Sequence, residues 1–89
     1  MAIAVLFEFP ADSIDKYDRV LKAGGNAVED QPERPYHVCF ETGSGFSVLD
    51  VWESEEAFGR FGALLGPALQ EAELSTEPKI YRVHNIMTA

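Results

Sequence analysis

The stretch YHVCFETGSGFSVLDVW, Tyr36 to Trp52, decides the fold. Two runs rich in aromatic and β-branched residues, Tyr36 to Glu41 and Phe46 to Trp52, flank the turn Thr42-Gly43-Ser44-Gly45. This is the pattern of an antiparallel hairpin, with glycine expected where a turn takes positive φ. Pairing across the turn sets His37 opposite Asp50 on one sheet face, which Phe46, Val48 and Trp52 share. Tyr36, Val38, Phe40, Leu49 and Val51 form the other face, and it is apolar as well. A hairpin apolar on both faces needs cover on both sides.

Upstream, Ile3 to Phe9 (IAVLFEF) is a short run of β-formers closed by Pro10, too short for an independent helix, and reads as a strand. Asp12 and Ser13 then offer N-cap oxygens, Asp15 adds charge to a first turn, and Ile14, Tyr17, Val20 and Leu21 share one helical stripe. Gly24 and Gly25 stop that helix. The segment Asn26 to Pro35 (NAVEDQPERP) has two prolines and no apolar period, so it reads as a long loop placed where a flap would sit.

Downstream, Ser54 is an N-cap with Glu55 and Glu56 in the first turn, and Ala57, Phe58, Phe61, Leu64 and Leu65 form an apolar stripe. Gly66-Pro67 is expected to break or kink this helix, Pro67 opening a short further piece to Ala72. Lys79 to Ile86 alternates as a last strand. The order strand, helix, strand, strand, helix, strand is the α+β ferredoxin-like motif βαββαβ: a four-stranded antiparallel sheet with two helices on one face, here a single domain over residues 1–89. Two helices cover only one face, so the second calls for a symmetric partner, a homodimer. At 89 residues the chain would bury only about 60 to 65% of its unfolded surface, which adds to the benefit of association.

Composition narrows the function classes. With 15 acidic against 7 basic residues and a net charge of −8, the chain repels phosphate backbones, and no Lys/Arg cluster offsets this, so nucleic acid is not an expected partner. No apolar run approaches the roughly 20 residues of a membrane span, and the N-terminus lacks the basic region of a secretory signal, so a cytoplasmic location is the default. The single Cys39 forbids an internal disulfide, and with His37 and His84 it lacks zinc-type spacing, so no metal is expected. There is no Gly-rich phosphate loop and no serine nucleophile motif, which leaves chemistry without a cofactor.

The candidate catalytic pair is His37 with Asp50, an imidazole and a carboxylate in the most apolar strands, where Asp50 orients His37 as a general base. The structural alternative is a cross-strand pair that only satisfies two polar groups in a half-buried sheet. Trp52 either stacks a flat ligand or closes the core beneath the second helix. Tyr17 either brings a hydroxyl to a pocket or packs in the core, Phe58 walls the same space, and His84 lines a cleft mouth or a dimer edge. Glu8 is expected to pair with Arg82, and Cys39 to be a small core residue.

Tyr36-His37-Val38, Phe46 to Ser54 (FSVLDVWES), Glu56-Ala57-Phe58, Leu65-Gly66-Pro67-Ala68-Leu69 and Val83-His84-Asn85 resemble the dimeric α+β barrel superfamily, in particular proteins akin to antibiotic biosynthesis monooxygenases. The resemblance spans nearly the whole chain. It implies a homodimer with two sheets face to face, a pocket in each subunit between sheet and helices, and no cofactor. The haem-degrading branch carries an Asn early in the first strand, and Ile3 to Phe9 contains none.

Two functions follow as expectations. One is a cofactor-independent monooxygenase or related enzyme acting on an aromatic or polyketide-like substrate, with a cyclase or isomerase using the same base as a variant. The other is a non-catalytic homodimer that binds a small apolar ligand or serves in stress. Alternation does not say which face meets the helices. If His37 and Asp50 faced the dimer interior, the base would be lost to an interface.

Overall fold

A computed structural model describes residues 1–88. The chain runs β1 (Ile3–Phe9), α1 (Asp15–Gly24), α2 (Asn26–Glu29), β2 (Tyr36–Glu41), β3 (Phe46–Trp52), α3 (Glu55–Glu71) and β4 (Lys79–Arg82). The strands form one antiparallel sheet in the order β2-β3-β1-β4. This is the expected α+β ferredoxin-like architecture, with α1 and α3 as the two long helices.

The hairpin register is the expected one. His37 pairs with Asp50, Val38 with Leu49 and Tyr36 with Val51. In turn β3 sets Trp52 against Ile3, Asp50 against Val5 and Phe46 against Phe9 on the central strand. The face holding Ile3, Val5, Phe7, Phe9, Phe46, Val48 and Trp52 is buried together with Val20, Ala57, Phe61 and Ala68 from the helices. His37 and Asp50 therefore lie on the helix-covered face. Bulk explains the choice, because three phenylalanines and the tryptophan sit on this side, and covering them removes the most apolar area from water.

The turn departs from expectation in one respect. Among the described glycines only Gly25 has positive φ, at 57° as the cap of α1, whereas Gly43 and Gly45 do not. Gly45 is needed for close approach instead: a Cβ there would collide with the Phe9 carbonyl and the Pro10 backbone. Ser44 fastens the same junction by donating its hydroxyl to the Pro10 carbonyl.

Four further expectations are corrected. The loop after Gly25 contains the short helix α2, whose Val28 enters the core and gives the segment an anchor. Helix α3 continues through Pro67 to Glu71, since Ala68 and Ala72 beyond the proline are buried and hold the last turns in place. Strand β4 ends at Arg82 rather than Ile86, because Arg82 pairs with Ile3, the first residue of β1, and no partner strand remains beyond one bond from Val83 N–H to the Ala2 carbonyl. Glu8 pairs with Lys79 at 2.7 Å and not with Arg82, which the register places beside Ile3 on the opposite face.

At α1 the N-cap position falls on Ile14, which makes no side-chain cap bond, while the Ser13 hydroxyl accepts from the Asp15 N–H at 3.2 Å. Ser54 caps α3 as expected, its hydroxyl accepting from the Ala57 N–H at 3.1 Å. No helix among the described residues is long and apolar enough to cross a membrane.

Candidate active site

Four side chains from three elements form a continuous hydrogen-bonded chain beneath the helices. Trp52 Nε1 donates to Asp50 Oδ2 at 3.3 Å, Asp50 Oδ1 bonds His37 Nδ1 at 2.5 Å, and His37 Nε2 bonds the Tyr17 hydroxyl at 2.7 Å. The strand period places Asp50 and Trp52 two residues apart on one face, and the cross-strand register brings in His37. Tyr17 descends from α1, on the stripe that also buries Val20, and its ring stacks on the imidazole with centroids 6.0 Å apart.

The network fixes the proton positions by elimination. A carboxylate only accepts, so Nδ1 of His37 carries a proton, and in the neutral imidazole Nε2 then presents a lone pair to the Tyr17 O–H. Asp50 is 1% exposed, and a carboxylate buried that deeply is tolerated because both of its oxygens have donors. The His37 side chain retains 28% exposure, so the network runs from a dry interior to an accessible ring. Burial pushes the Tyr17 hydroxyl above its usual range, with Cys39, once ionised at high pH, and the Asp50 carboxylate adding to the effect and Arg34 opposing it. Tyr17 is thus a neutral phenol at physiological pH.

Beside this chain lies an apolar cavity of about 50 Å³, walled by Phe7, Phe9, Val48, Phe61 and Leu65 and bordered by Tyr17, His37, Asp50 and Arg34. An outer groove of about 180 Å³ adjoins it, sharing Tyr17, Leu21, Val28, Arg34 and His37 and adding Glu29. Both are smaller than the roughly 300 Å³ at which drug-sized ligand sites begin.

The structure thus unites Tyr17, His37 and Asp50 at the cavity. Trp52 does not line it: fully buried, it packs on Phe58 and Phe61 with centroids 5.9 and 4.8 Å away, and it reaches the site only through its bond to Asp50. Phe58 also stands behind the wall, edge-on to Phe7 at 6.1 Å. His84 lies across the sheet, bordering an open groove of about 340 Å³ with Tyr36, Leu49, Val51 and Ile86. It therefore does not join His37.

Arg34 is the residue that sequence reading missed. Its guanidinium carbon sits 5.6 Å from the Trp52 ring centroid and 5.4 Å from that of Phe61, and it donates to the Glu29 carbonyl at 2.9 Å. It stands in the charged segment that lacks any period. The available signal was Pro35, which biases the residue before it toward an extended backbone at the entry to β2.

Among the described residues no cluster of His, Cys, Asp and Glu is arranged to hold a metal ion.

The fold is shared with solved structures of low identity. A conserved protein from Methanosarcina mazei is 13% identical with a TM-score of 0.73, over 92% of each chain. SnoaB of Streptomyces nogalater, a cofactor-independent oxygenase, is 14% identical with a TM-score of 0.66, over 99% of this chain and 96% of that one. A Chloroflexus aurantiacus protein named as a candidate antibiotic biosynthesis monooxygenase is 10% identical with a TM-score of 0.71, over 99% of this chain and 98% of that one. At such identities the likeness establishes the fold, and it is the fold that the sequence resemblance implied. No family model matches the chain. No curated protein matches it significantly.

Proposed function

We propose that this protein is a cofactor-independent, monooxygenase-like enzyme for a small acidic organic substrate, and that Tyr17, His37 and Asp50 act together as its proton acceptor. The observation that carries the reading is the unbroken chain from buried Asp50 to the cavity-edge hydroxyl of Tyr17. Since Tyr17 already occupies Nε2, a substrate meets the phenol oxygen first. The substrate's C–H or O–H proton passes to Tyr17 as the Tyr17 proton passes to His37, and Asp50 faces the resulting imidazolium.

The electron-rich anion then reacts with dioxygen. One electron passes to dioxygen, the two radicals combine into a peroxide, and loss of water leaves a carbonyl. In total a CH₂ group, which in a phenol is that of the keto tautomer, and O₂ become C=O and H₂O, so no external reductant is needed. The apolar walls keep water from the anion. The name of SnoaB, a cofactor-independent oxygenase on this fold, supports the class of reaction and not a substrate.

The homodimer belongs to the same proposal. Tyr36, Phe40 and Tyr81 remain 40%, 43% and 54% exposed on the helix-free face, and a second copy of that face is the cover their apolar area calls for.

A second reading has its own support. The inner cavity, about 50 Å³, and the adjoining groove, about 180 Å³, are each smaller than the roughly 300 Å³ at which ligand sites usually begin, which favours a non-catalytic homodimer that binds a small ligand or serves in stress. Dioxygen uptake separates the two. With anthrone and with single-ring dihydric phenols as substrates, the enzyme reading expects uptake that His37→Asn abolishes, whereas the binding reading expects none from either protein.

A further inference from the structure

We propose that Arg34 is the anion-recognition residue of this site, and that the natural ligand is a molecule of one ring or less whose ionised oxygen rests on the Arg34 guanidinium. The inference rests on the reading of the Tyr17 and His37 pocket as a ligand site, and it specifies what that pocket selects.

Three observations carry it. Among the described residues Arg34 is the only arginine or lysine lining either the inner cavity or the outer groove, and it borders both. In a chain of net charge −8, a permanently charged guanidinium at a mostly apolar cavity is the local feature best suited to hold an anion there. Its guanidinium makes no ion pair with any carboxylate among the described residues, and its one hydrogen bond is to the Glu29 carbonyl, so most of its five N–H donors remain available.

The neighbouring arginine behaves otherwise. Arg60 is committed to both carboxylate oxygens of Glu33, at 2.9 and 3.0 Å. The aromatic rings of Trp52 and Phe61 hold the Arg34 guanidinium in place without consuming its donors. The other charges facing it are Glu29 on the groove rim and Asp50, whose oxygens are occupied by His37 and Trp52. Together the two compartments, about 50 and 180 Å³, stay below the roughly 300 Å³ of drug-sized sites and suit a single ring better than a fused-ring phenol.

The test is a titration of the full-length protein with benzoate and with its neutral isostere benzamide, followed by amide chemical shifts. The inference expects benzoate to perturb residues around Tyr17, Arg34 and His37 and to bind at least about tenfold more tightly than benzamide, a preference weakened by salt. Arg34→Gln should erase the preference and Arg34→Lys retain part of it. Because Arg34 packs on two core rings and its replacement can unfold the chain, the benzoate-to-benzamide ratio and its salt dependence in the unaltered protein stand as a separate test.

Equal affinity for the two probes would overturn the inference, as would an unchanged benzoate affinity in folded Arg34→Gln, while leaving the proton-acceptor reading in place. Failure of both probes to bind would overturn it too. Turnover of anthrone would contradict the size limit while supporting the enzyme reading.

Discussion

The Tyr17 hydroxyl lies 2.7 Å from Nε2 of His37, so the first helix of the chain caps the imidazole that the hairpin presents. The imidazole is thereby coupled to a phenol that burial holds protonated. Removing the hydroxyl with Tyr17→Phe should delete the latest-titrating part of the phenolate absorbance band. A difference spectrum that shows no late component would contradict the coupling.

The same shift predicts how stability varies with pH. The folded-state value for Tyr17 is raised above the ordinary 10.0, so the folded protein keeps the phenolic proton after the unfolded chain has released it. The contribution is complete below about pH 10 and is lost as the pH rises through the folded value. Urea midpoints measured from pH 8 to 11 should fall more steeply for the unaltered protein than for Tyr17→Phe.

Asp50 depends on Trp52 as well as on His37. Trp52→Phe would leave Asp50 Oδ2 without its donor inside the core, at a penalty of roughly 1–3 kcal/mol for the orphaned oxygen, with lost packing in addition. Chemical denaturation measures it. A loss indistinguishable from that of another buried aromatic of the same core would show that the indole bond contributes nothing.

Cys39 should be a sluggish nucleophile. Burial pushes its thiol above the ordinary 9.0, and Asp18 and Glu41 push it further in the same direction. Alkylation at pH 8 should proceed more slowly in the folded protein than in the urea-unfolded chain. Equal rates would place the thiol in solvent.

The helix-free sheet face carries the proposed dimer. Val38 and Leu49 pair across its centre, and Val38→Glu would set a charge in an apolar interface. Sedimentation should find a dimer for the unaltered protein and a monomer for Val38→Glu, with the same secondary structure in both. A dimer that persists in the variant would move the interface elsewhere.

Much of the fold could be read from the hairpin, because the turn fixes the register and the register fixes which side chains share a face. His37 and Asp50 were paired on that ground alone. Which face meets the helices was not legible, since strand alternation is symmetric and both faces are apolar. The answer lies in summed volume, with Phe46 and Trp52 joined by Phe7 and Phe9 from a strand distant in sequence.

The departures from the local sequence pattern have related physical causes. Pro67 reads as a breaker in isolation, yet burial of Ala68 and Ala72 outweighs the missing hydrogen bond. Strand β4 ends where its partner begins, which no local pattern records. Arg34 sits in a segment without periodicity, and its role depends on rings contributed by β3 and α3. The link from Tyr17 to His37 joins a helix to a strand, and only the tertiary structure supplies it.

His37, held by Asp50 and reached through Tyr17, is proposed as a working base. The most direct measurement is dioxygen consumption with a single-ring dihydric phenol by the unaltered protein and by His37→Asn, whose amide can still donate to Asp50 but cannot accept a proton as a base. With His37 as the base, uptake is matched one to one by carbonyl product and falls by about 10²- to 10⁴-fold in His37→Asn while the melting temperature is retained. Equal uptake by the two proteins, or none by either across such phenols and anthrone, would contradict it.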